Sequence, residues 1–244
     1  MGMSNSNPQE IVRRFEIADE EVRFYEREGY LILPGALSEV LAIQLRCEIL
    51  EMIERERPPY AKLQQTKEYF GGGLIDALIH SPNLLAVAER LMGGKSKLHS
   101  PFTAVKAAGG GRFHFHQDNQ YTEFNGPGIN MWLAAEEVGP QNGTLQIIPQ
   151  SHQDGTHKWV LSGDGDEYRK VDFEPDFYLP LRLRAGDLVA FNRLTVHGSG
   201  PNLSQEHRVG YAVQFHREDT KALVDGEWVL LKDHPRFDLT PLER

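Results

Sequence analysis

His116, Asp118 and His197 are the residues whose types and spacing could do chemistry, and Arg208 stands with them. Residues two apart on a β-strand project to the same face. The imidazole of His116 and the carboxylate of Asp118 could therefore meet one ion, with His197 supplying a third donor from a later strand. Two histidines and one carboxylate make the facial triad of non-haem Fe(II) oxygenases, which leaves coordination positions open. Arg208 follows eleven residues beyond His197. A buried guanidinium is a natural partner for the far carboxylate of an organic diacid, because its planar fork matches both oxygens. His114 keeps an alternative open, since a His114/His116 pair would be a more zinc-like set. A carboxylate suits iron and offsets its charge, so His116 with Asp118 is preferred. His114 is then a supporting, substrate-side or surface residue.

These donors need rigid elements behind them. From residue 97 onward, short strands alternate with turn signals, at 97–107, 112–118, 129–138, 143–149, 187–192, 194–198, 208–216 and 227–231. Asn142-Gly143 is a tight-turn dipeptide. Helices come earlier. One runs from Asp19 to Glu28 and ends at Gly29, before a brief strand at Tyr30–Pro34. Ser38 caps another that reaches about Arg57, with Leu41, Leu45, Ile49, Met52 and Ile53 on one apolar face. A loop is expected over 58–73 and a further helix over about 83–92. Helices first and many strands later predict a mainly β fold with flanking helices and a double-stranded β-helix (jelly-roll, cupin-like) core. The expected layout is a flexible segment 1–18 and a single domain 19–244. Its helical part covers about 19–92 and its jelly roll about 97–231. The glycine-rich, acidic stretch 153–185 reads as a solvated insertion or as a lid over the site.

A chain of 244 residues suffices for one sizeable core. No apolar run approaches the roughly 18 residues of a membrane span, and no secretory pattern opens the chain. The single Cys47 excludes an internal disulfide and fits a reducing, cytoplasmic setting. With 35 acidic against 26 basic residues, the net charge of −9 argues against nucleic-acid binding. It also disfavours a CoA thioester. The start Met1-Gly2-Met3-Ser4-Asn5-Ser6 formally fits myristoylation, but no polybasic second signal follows, and one acyl chain anchors weakly. The expected partner is a small-molecule substrate.

Two further motifs fail on their physical requirements, and a third is a turn. Gly93-Gly94-Lys95-Ser96 resembles the end of a phosphate loop, yet Glu89 stands where its first glycine belongs, and a helix precedes it rather than a strand. Asp164-Gly165-Asp166 lacks the rest of a calcium loop. Gly109-Gly110-Gly111 reads as a turn before the His116 strand.

The order of features resembles the phytanoyl-CoA dioxygenase family of Fe(II)/2-oxoglutarate oxygenases over roughly residues 20–216. Phe24-Tyr25-Glu26-Arg27-Glu28-Gly29-Tyr30 followed by Leu33-Pro34-Gly35 is similar to the family's opening helix and strand. His116-Gln117-Asp118 matches its metal motif, and Trp132 stands where members often carry tryptophan. Asn142-Gly143-Thr144-Leu145 through Pro149-Gln150-Ser151-His152 resembles an Asn-Gly-x-Leu…Pro-Gly-Ser-His stretch, with Gln150 in place of the usual glycine. Gly186-Asp187-Leu188-Val189-Ala190-Phe191, His197-Gly198-Ser199, Asn202, Ser204 and Arg208 complete the pattern.

The resemblance implies Fe(II), 2-oxoglutarate and O2 as cofactor and co-substrates. It implies that Arg208 binds the distal carboxylate of 2-oxoglutarate with help from Ser199, and that Trp132 and Lys106 line the pocket. The implied reaction is hydroxylation of a small organic metabolite with release of succinate and CO2. Asp118 argues against the halogenases of the family, where a small residue replaces the carboxylate. Two rivals remain: a jelly-roll metal- or ligand-binding module without oxygenase activity, and a cupin-like dioxygenase that does not use 2-oxoglutarate. The aromatic residues Phe113, Phe115, Tyr121 and Phe124 suggest a partly apolar site, although core packing is their commoner use.

Overall fold

A computed structural model describes residues 10–56, 73–120, 122–163 and 168–233. Four helices precede most of the strands: α1 (Asp19–Glu28), α2 (Glu39–Glu56), α3 (Gly73–Ile79) and α4 (Pro82–Met92). Capping explains their limits. The Ala18 N–H donates to Glu21 Oε2 at 2.8 Å ahead of α1, and Gly29 ends that helix at φ 81°. A side chain there would also collide with His152 and Thr195, so glycine is needed twice over. The Leu41 N–H donates to Ser38 Oγ at 3.3 Å, as expected of an N-cap. α3 falls within no expected helix. The Glu48 carboxylate of α2 accepts from its Leu74 and Ile75 N–H groups at 2.7 and 3.0 Å, a cap reaching over from another helix. Arg57 and most of the loop expected over 58–73 lie outside the described residues.

The strands are β1 (Tyr30–Leu33), β2 (Ser96–Lys106), β3 (Phe113–His116), β4 (Phe124–Asn125), β5 (Gly128–Ala134), β6 (Leu145–Ile147), β7 (Trp159–Leu161), β8 (Arg169–Val171), β9 (Leu179–Pro180), β10 (Leu188–Asn192), β11 (His197–Ser199), β12 (Arg208–Arg217), β13 (Lys221–Val224) and β14 (Glu227–Leu230). All pairings within the two main sheets are antiparallel. A major sheet runs β1-β10-β5-β12-β2, and a minor sheet runs β3-β11-β6-β9. The expected mainly β fold with flanking helices and a double-stranded β-helix core is what the chain adopts.

Strand alternation separates two hydrophobic layers. Ile129, Met131 and Leu133 of β5 and Val209, Tyr211, Val213 and Phe215 of β12 face one way. They pack on Ala42, Leu45, Ile49 and Met52 of α2 and on Leu84, Val87, Ala88 and Leu91 of α4. The intervening residues Trp132, Ala134 and Ala212 turn to the other side with Val189 and Phe191, and meet Leu145 and Ile147 of the minor sheet. Burying one such Leu or Ile contributes about 1.5–3 kcal/mol. The helices thus stiffen the back of the major sheet and leave its front for the site.

Two boundaries differ from expectation. The packed chain begins before residue 19: Ile11 and Val12 are buried in the helix-side core, and the Arg13 N–H donates to Ala36 O at 2.8 Å. The stretch 153–185 is also not uniformly irregular. It holds the β7–β8 hairpin and then β9, which joins the minor sheet at Gln146 and Ile147. Of its acidic tip, 164–167 lies outside the described residues. Among the described residues, no helix is long and apolar enough to cross a membrane.

Candidate metal centre

His116 closes β3, and His197 opens β11 directly opposite it in the register. Their rings lie 4.2 Å apart between centroids. The strand ends at His116, so Asp118 does not reach the site by strand alternation. It starts a 3-10 turn, Asp118–Gln120. That turn nevertheless brings its carboxylate in: the ligating atoms of His116, Asp118 and His197 all lie within 4.8 Å of one another. His197 Nε2 is 3.7 Å from Asp118 Oδ1.

The imidazoles are oriented from behind. His116 Nδ1 donates to His114 O at 3.0 Å, and His197 Nδ1 donates to Thr195 O at 2.9 Å. A carbonyl only accepts, so the proton sits on Nδ1 and the lone pair is left on Nε2. Burial, with His197 alongside, holds the His116 imidazole well below the usual histidine range and keeps it neutral. Asn130 Nδ2 donates to Asp118 Oδ2 at 3.0 Å and leaves Oδ1 turned toward His197. Three lone-pair donors with their outer atoms already engaged fit a divalent cation of the facial-triad type. His114 is not among the three. Its carbonyl positions His116, and its N–H donates to the Tyr168 hydroxyl at 3.1 Å.

Three supporting residues were not anticipated. Gln117 is fully buried between the two ligands; its Nε2 donates to Gly155 O at 2.8 Å and Leu194 O at 2.6 Å, and its Oε1 accepts from His157 N at 2.8 Å. It ties the turn to the base of the 153–185 stretch. Arg193 donates to Asn119 Oδ1 at 2.6 Å and to Phe124 O at 3.0 Å. Burial pushes its guanidinium down to about 10, against the pull of the Asp118 charge. Asn130 lies on the inward side of β5 with Trp132, so alternation could have found it. Arg193 sits in a turn, where no period applies.

The second group lies along the inner face of the major sheet. Arg208 opens β12 opposite Lys106 of β2. It is 5% exposed, donates to Ala104 O at 2.9 Å, and holds its guanidinium 5.4 Å from the Trp132 ring centre. Gly210 makes this possible, because a Cβ there would lie 2.4 Å from the Trp132 ring. Ser199 is buried on β11, two residues from His197 and so on the same face by strand period. Lys106 Nζ donates to Gly111 O at 2.7 Å. Burial, with Arg208 next to it, lowers the Lys106 ammonium to about 7. An unfolded lysine keeps its proton up to about 10.4. Between these values the unfolded chain binds the extra proton, so this group's contribution to stability rises with pH across that window and is lowest below pH 7.

The aromatic residues divide. Phe113 stacks on Tyr168 at 4.4 Å, Phe115 meets Tyr178, and Phe124 lies against His216. Tyr121 is outside the described residues.

Two facing antiparallel sheets with a His-Asp-His cluster between them define the double-stranded β-helix scaffold of Fe/2-oxoglutarate enzymes. The family model for phytanoyl-CoA dioxygenase (PhyH) matches residues 25–210, and the chain belongs to that family. It is 28% identical over 208 residues to a methylphosphonate hydroxylase of Gimesia maris, covering 79% of this chain and 78% of the relative. It is also 28% identical over 176 residues to mouse phytanoyl-CoA dioxygenase domain-containing protein 1, covering 68% of this chain and 60% of that protein. The chain thus spans less than two thirds of the mouse relative. Among solved structures, the epimerase SnoN in complex with Fe3+, α-ketoglutarate and nogalamycin RO superposes with TM-score 0.72 at 21% identity, covering 92% of this chain and 93% of that one. The α-ketoglutarate-dependent carbocyclase SnoK gives 0.68 at 22% identity, covering 84% and 85%. At such identities these two show a common fold.

Proposed function

We propose that this protein is an Fe(II)- and 2-oxoglutarate-dependent oxygenase that hydroxylates a small organic molecule, releasing succinate and CO2. The observation that carries the reading is the convergence of His116, Asp118 and His197 with both Nδ1 atoms and Asp118 Oδ2 already engaged. Bound iron would supply the oxidising chemistry, using O2 and 2-oxoglutarate. His116, Asp118 and His197 hold the metal. Arg208 and Ser199 hold the distal carboxylate, and Trp132 and Lys106 wall that end of the pocket. The hydroxylase named among the relatives supports hydroxylation as the outcome. The same scaffold also carries an epimerase and a carbocyclase, so hydroxylation is the part of this reading that product analysis must test.

The test is succinate release from 2-oxoglutarate under air by the iron-loaded protein. Release that requires both iron and O2 is expected. Oxygen uptake without succinate would indicate a dioxygenase that does not use 2-oxoglutarate, and neither would indicate a binding module.

Lys106 gives this reading a pH signature. A dianion placed beside Lys106 and Arg208 favours the charged amine, so 2-oxoglutarate binding above pH 7 takes up a proton, and affinity falls as pH rises above about 7. Calorimetry in two buffers of different ionisation enthalpy measures the uptake, and Lys106→Met should abolish it.

The stretch 153–185 acts in this reading as a lid. Gln117 and Tyr168 tie it to the metal strand, and it exposes Trp159, Val160, Leu161, Phe173 and Phe177. Saturating substrate should slow its proteolysis; unchanged cleavage would make it a passive surface loop.

A further inference from the structure

Strand pairing sets four residues in one row across the inward face of the major sheet: Phe191 of β10, Asn130 of β5, Gln214 of β12 and Ser100 of β2. The metal cluster stands over one half of that row. The His197 ring lies 4.4 Å from the Phe191 ring between centroids, and Asn130 holds Asp118 Oδ2 at 3.0 Å. β3, which leads into Asp118, is the edge strand of the minor sheet. The major sheet therefore continues by two strands, β12 and β2, past the point where Asp118 meets β5. Gln214 and Ser100 lie on that overhang.

Burial marks the same half as open. From Arg208 to His216 every residue of β12 is buried except Gln214, which is partly exposed. On β2 the inward residues Ser100, Phe102 and Ala104 are partly exposed too. Solvent reaches residues between two sheets only where the sheets part. Among the described residues, neither the Gln214 amide nor the Ser100 hydroxyl has a hydrogen-bond partner. Gln120 is unmatched as well, but its polar atoms are sealed from solvent and offer a ligand nothing. Directly opposite residues on paired strands have Cβ atoms about 4.5–5.5 Å apart, so one ligand group can meet Gln214 and Ser100 together. The surface leading to them is apolar, with Phe102 and Ala212 packed beside Trp132. From Gly210 and Ala104 at one end to Gln214 and Ser100 at the other, the inward positions of β12 and β2 carry no charge. A charged group placed there would lose water without gaining a counter-ion, which is costly. A hydrocarbon would displace water from both side chains and return no hydrogen bond.

We propose that Gln214, with Ser100 opposite it, is a specificity-determining residue: the pair hydrogen-bonds a neutral polar group of the substrate, a hydroxyl or carbonyl on an apolar body, and so fixes which part of the molecule faces the metal. The inference deepens the oxygenase reading and rests on it for the purpose of the pair, but binding itself requires no turnover.

The test uses the full chain with 2-oxoglutarate and Zn(II), a diamagnetic stand-in for iron, and three ring-matched probes: cyclohexanol, cyclohexanecarboxylate and cyclohexylammonium. Binding is read from the side-chain NH2 resonances of Gln214, assigned by their loss in Gln214→Leu, and from the probes' own resonances. Cyclohexanol should shift the Gln214 NH2 pair and bind at least tenfold tighter than either ion. Exchanging Zn(II) for paramagnetic Mn(II) should broaden the bound alcohol's signals, because the row lies beside the metal. Gln214→Leu should weaken the alcohol at least tenfold, since a site built to hydrogen-bond a group depends on both partners. Gln214→Glu, which supplies the missing counter-ion, should turn the preference toward cyclohexylammonium. Neither variant should lose metal or shift the melting temperature by more than about 2 °C, because Gln214 is partly exposed and bonds no other side chain.

No binding of the alcohol, tighter binding of an ion by the unaltered chain, or undiminished alcohol binding by Gln214→Leu overturns the proposal. So does an unchanged order of preference in Gln214→Glu, or alcohol signals that Mn(II) leaves sharp. A larger fall in melting temperature in both variants would make Gln214 structural and overturn it as well. Succinate release by the iron-loaded chain separates the two readings. A chain that releases none yet prefers the alcohol through Gln214 keeps the binding pair and loses the reaction; succinate release without that preference loses only the pair.

Discussion

Replacing Arg208 with alanine is expected to raise the apparent 2-oxoglutarate KM by tens of fold or more while leaving metal content unchanged. The guanidinium is buried, fixed by Ala104 O at 2.9 Å, and set against Trp132 over the space that Gly210 leaves. It is therefore pre-organised to give a carboxylate two parallel charge-assisted hydrogen bonds. Truncating one partner of a desolvated charge pair costs about 2–5 kcal/mol, and every 1.4 kcal/mol is about tenfold. Arg208→Lys should recover only part of the loss, because a point charge does not reproduce the fork. Succinate release against 2-oxoglutarate concentration, with iron assayed in parallel, measures both variants. An unchanged KM in the alanine variant would mean that another residue anchors the diacid or that the protein does not use it.

Loss of a metal ligand should have the other large effect. His116→Ala or His197→Ala is expected to abolish Fe(II) binding, because each removes one of three converging donors. His114→Ala should retain the metal, since its contribution to the cluster is a backbone carbonyl that alanine also carries. Asn130→Ala should fall between them, at about the 10–100-fold loss of affinity typical when a residue supporting a ligand is removed. Anaerobic iron titration reads all four. Full occupancy in His197→Ala would rule out the assignment, and a loss in His114→Ala equal to that in His116→Ala would favour the two-histidine, zinc-like alternative.

Much of the scaffold was legible because its signals are local. Helix α1 matches its expected limits, since the acidic first turn, Glu21 and Gly29 all act within a few residues of the backbone groups they satisfy. The strands β2, β5, β10 and β12 were found as runs separated by turn signals, which are equally local. α3 and β13 were missed. α3 is seven residues long and is capped by Glu48 from another helix, which no local window contains. β13 is four residues long and is framed by β14 and β4.

The site divides along the same line. The sequence by itself determined the kinds of donor and their order: two imidazoles, a carboxylate and a guanidinium, carried on a β scaffold that could bring them together. Side-chain chemistry and strand period are properties of near neighbours, so they survive without knowledge of the fold. Only the tertiary structure decided how the donors meet. Asp118 reaches the cluster from a turn rather than along the strand, because β3 ends at His116, where the chain pairs with His197 of β11. It also decided that Gln117 anchors the turn to Leu194 O, that Arg193 braces it through Asn119 and that Asn130 holds Asp118, while Gln120 is left with an unmatched amide. Those outcomes depend on which distant backbone groups arrive beside each side chain. Sheet register and loop packing set that, and no stretch of neighbouring residues encodes it.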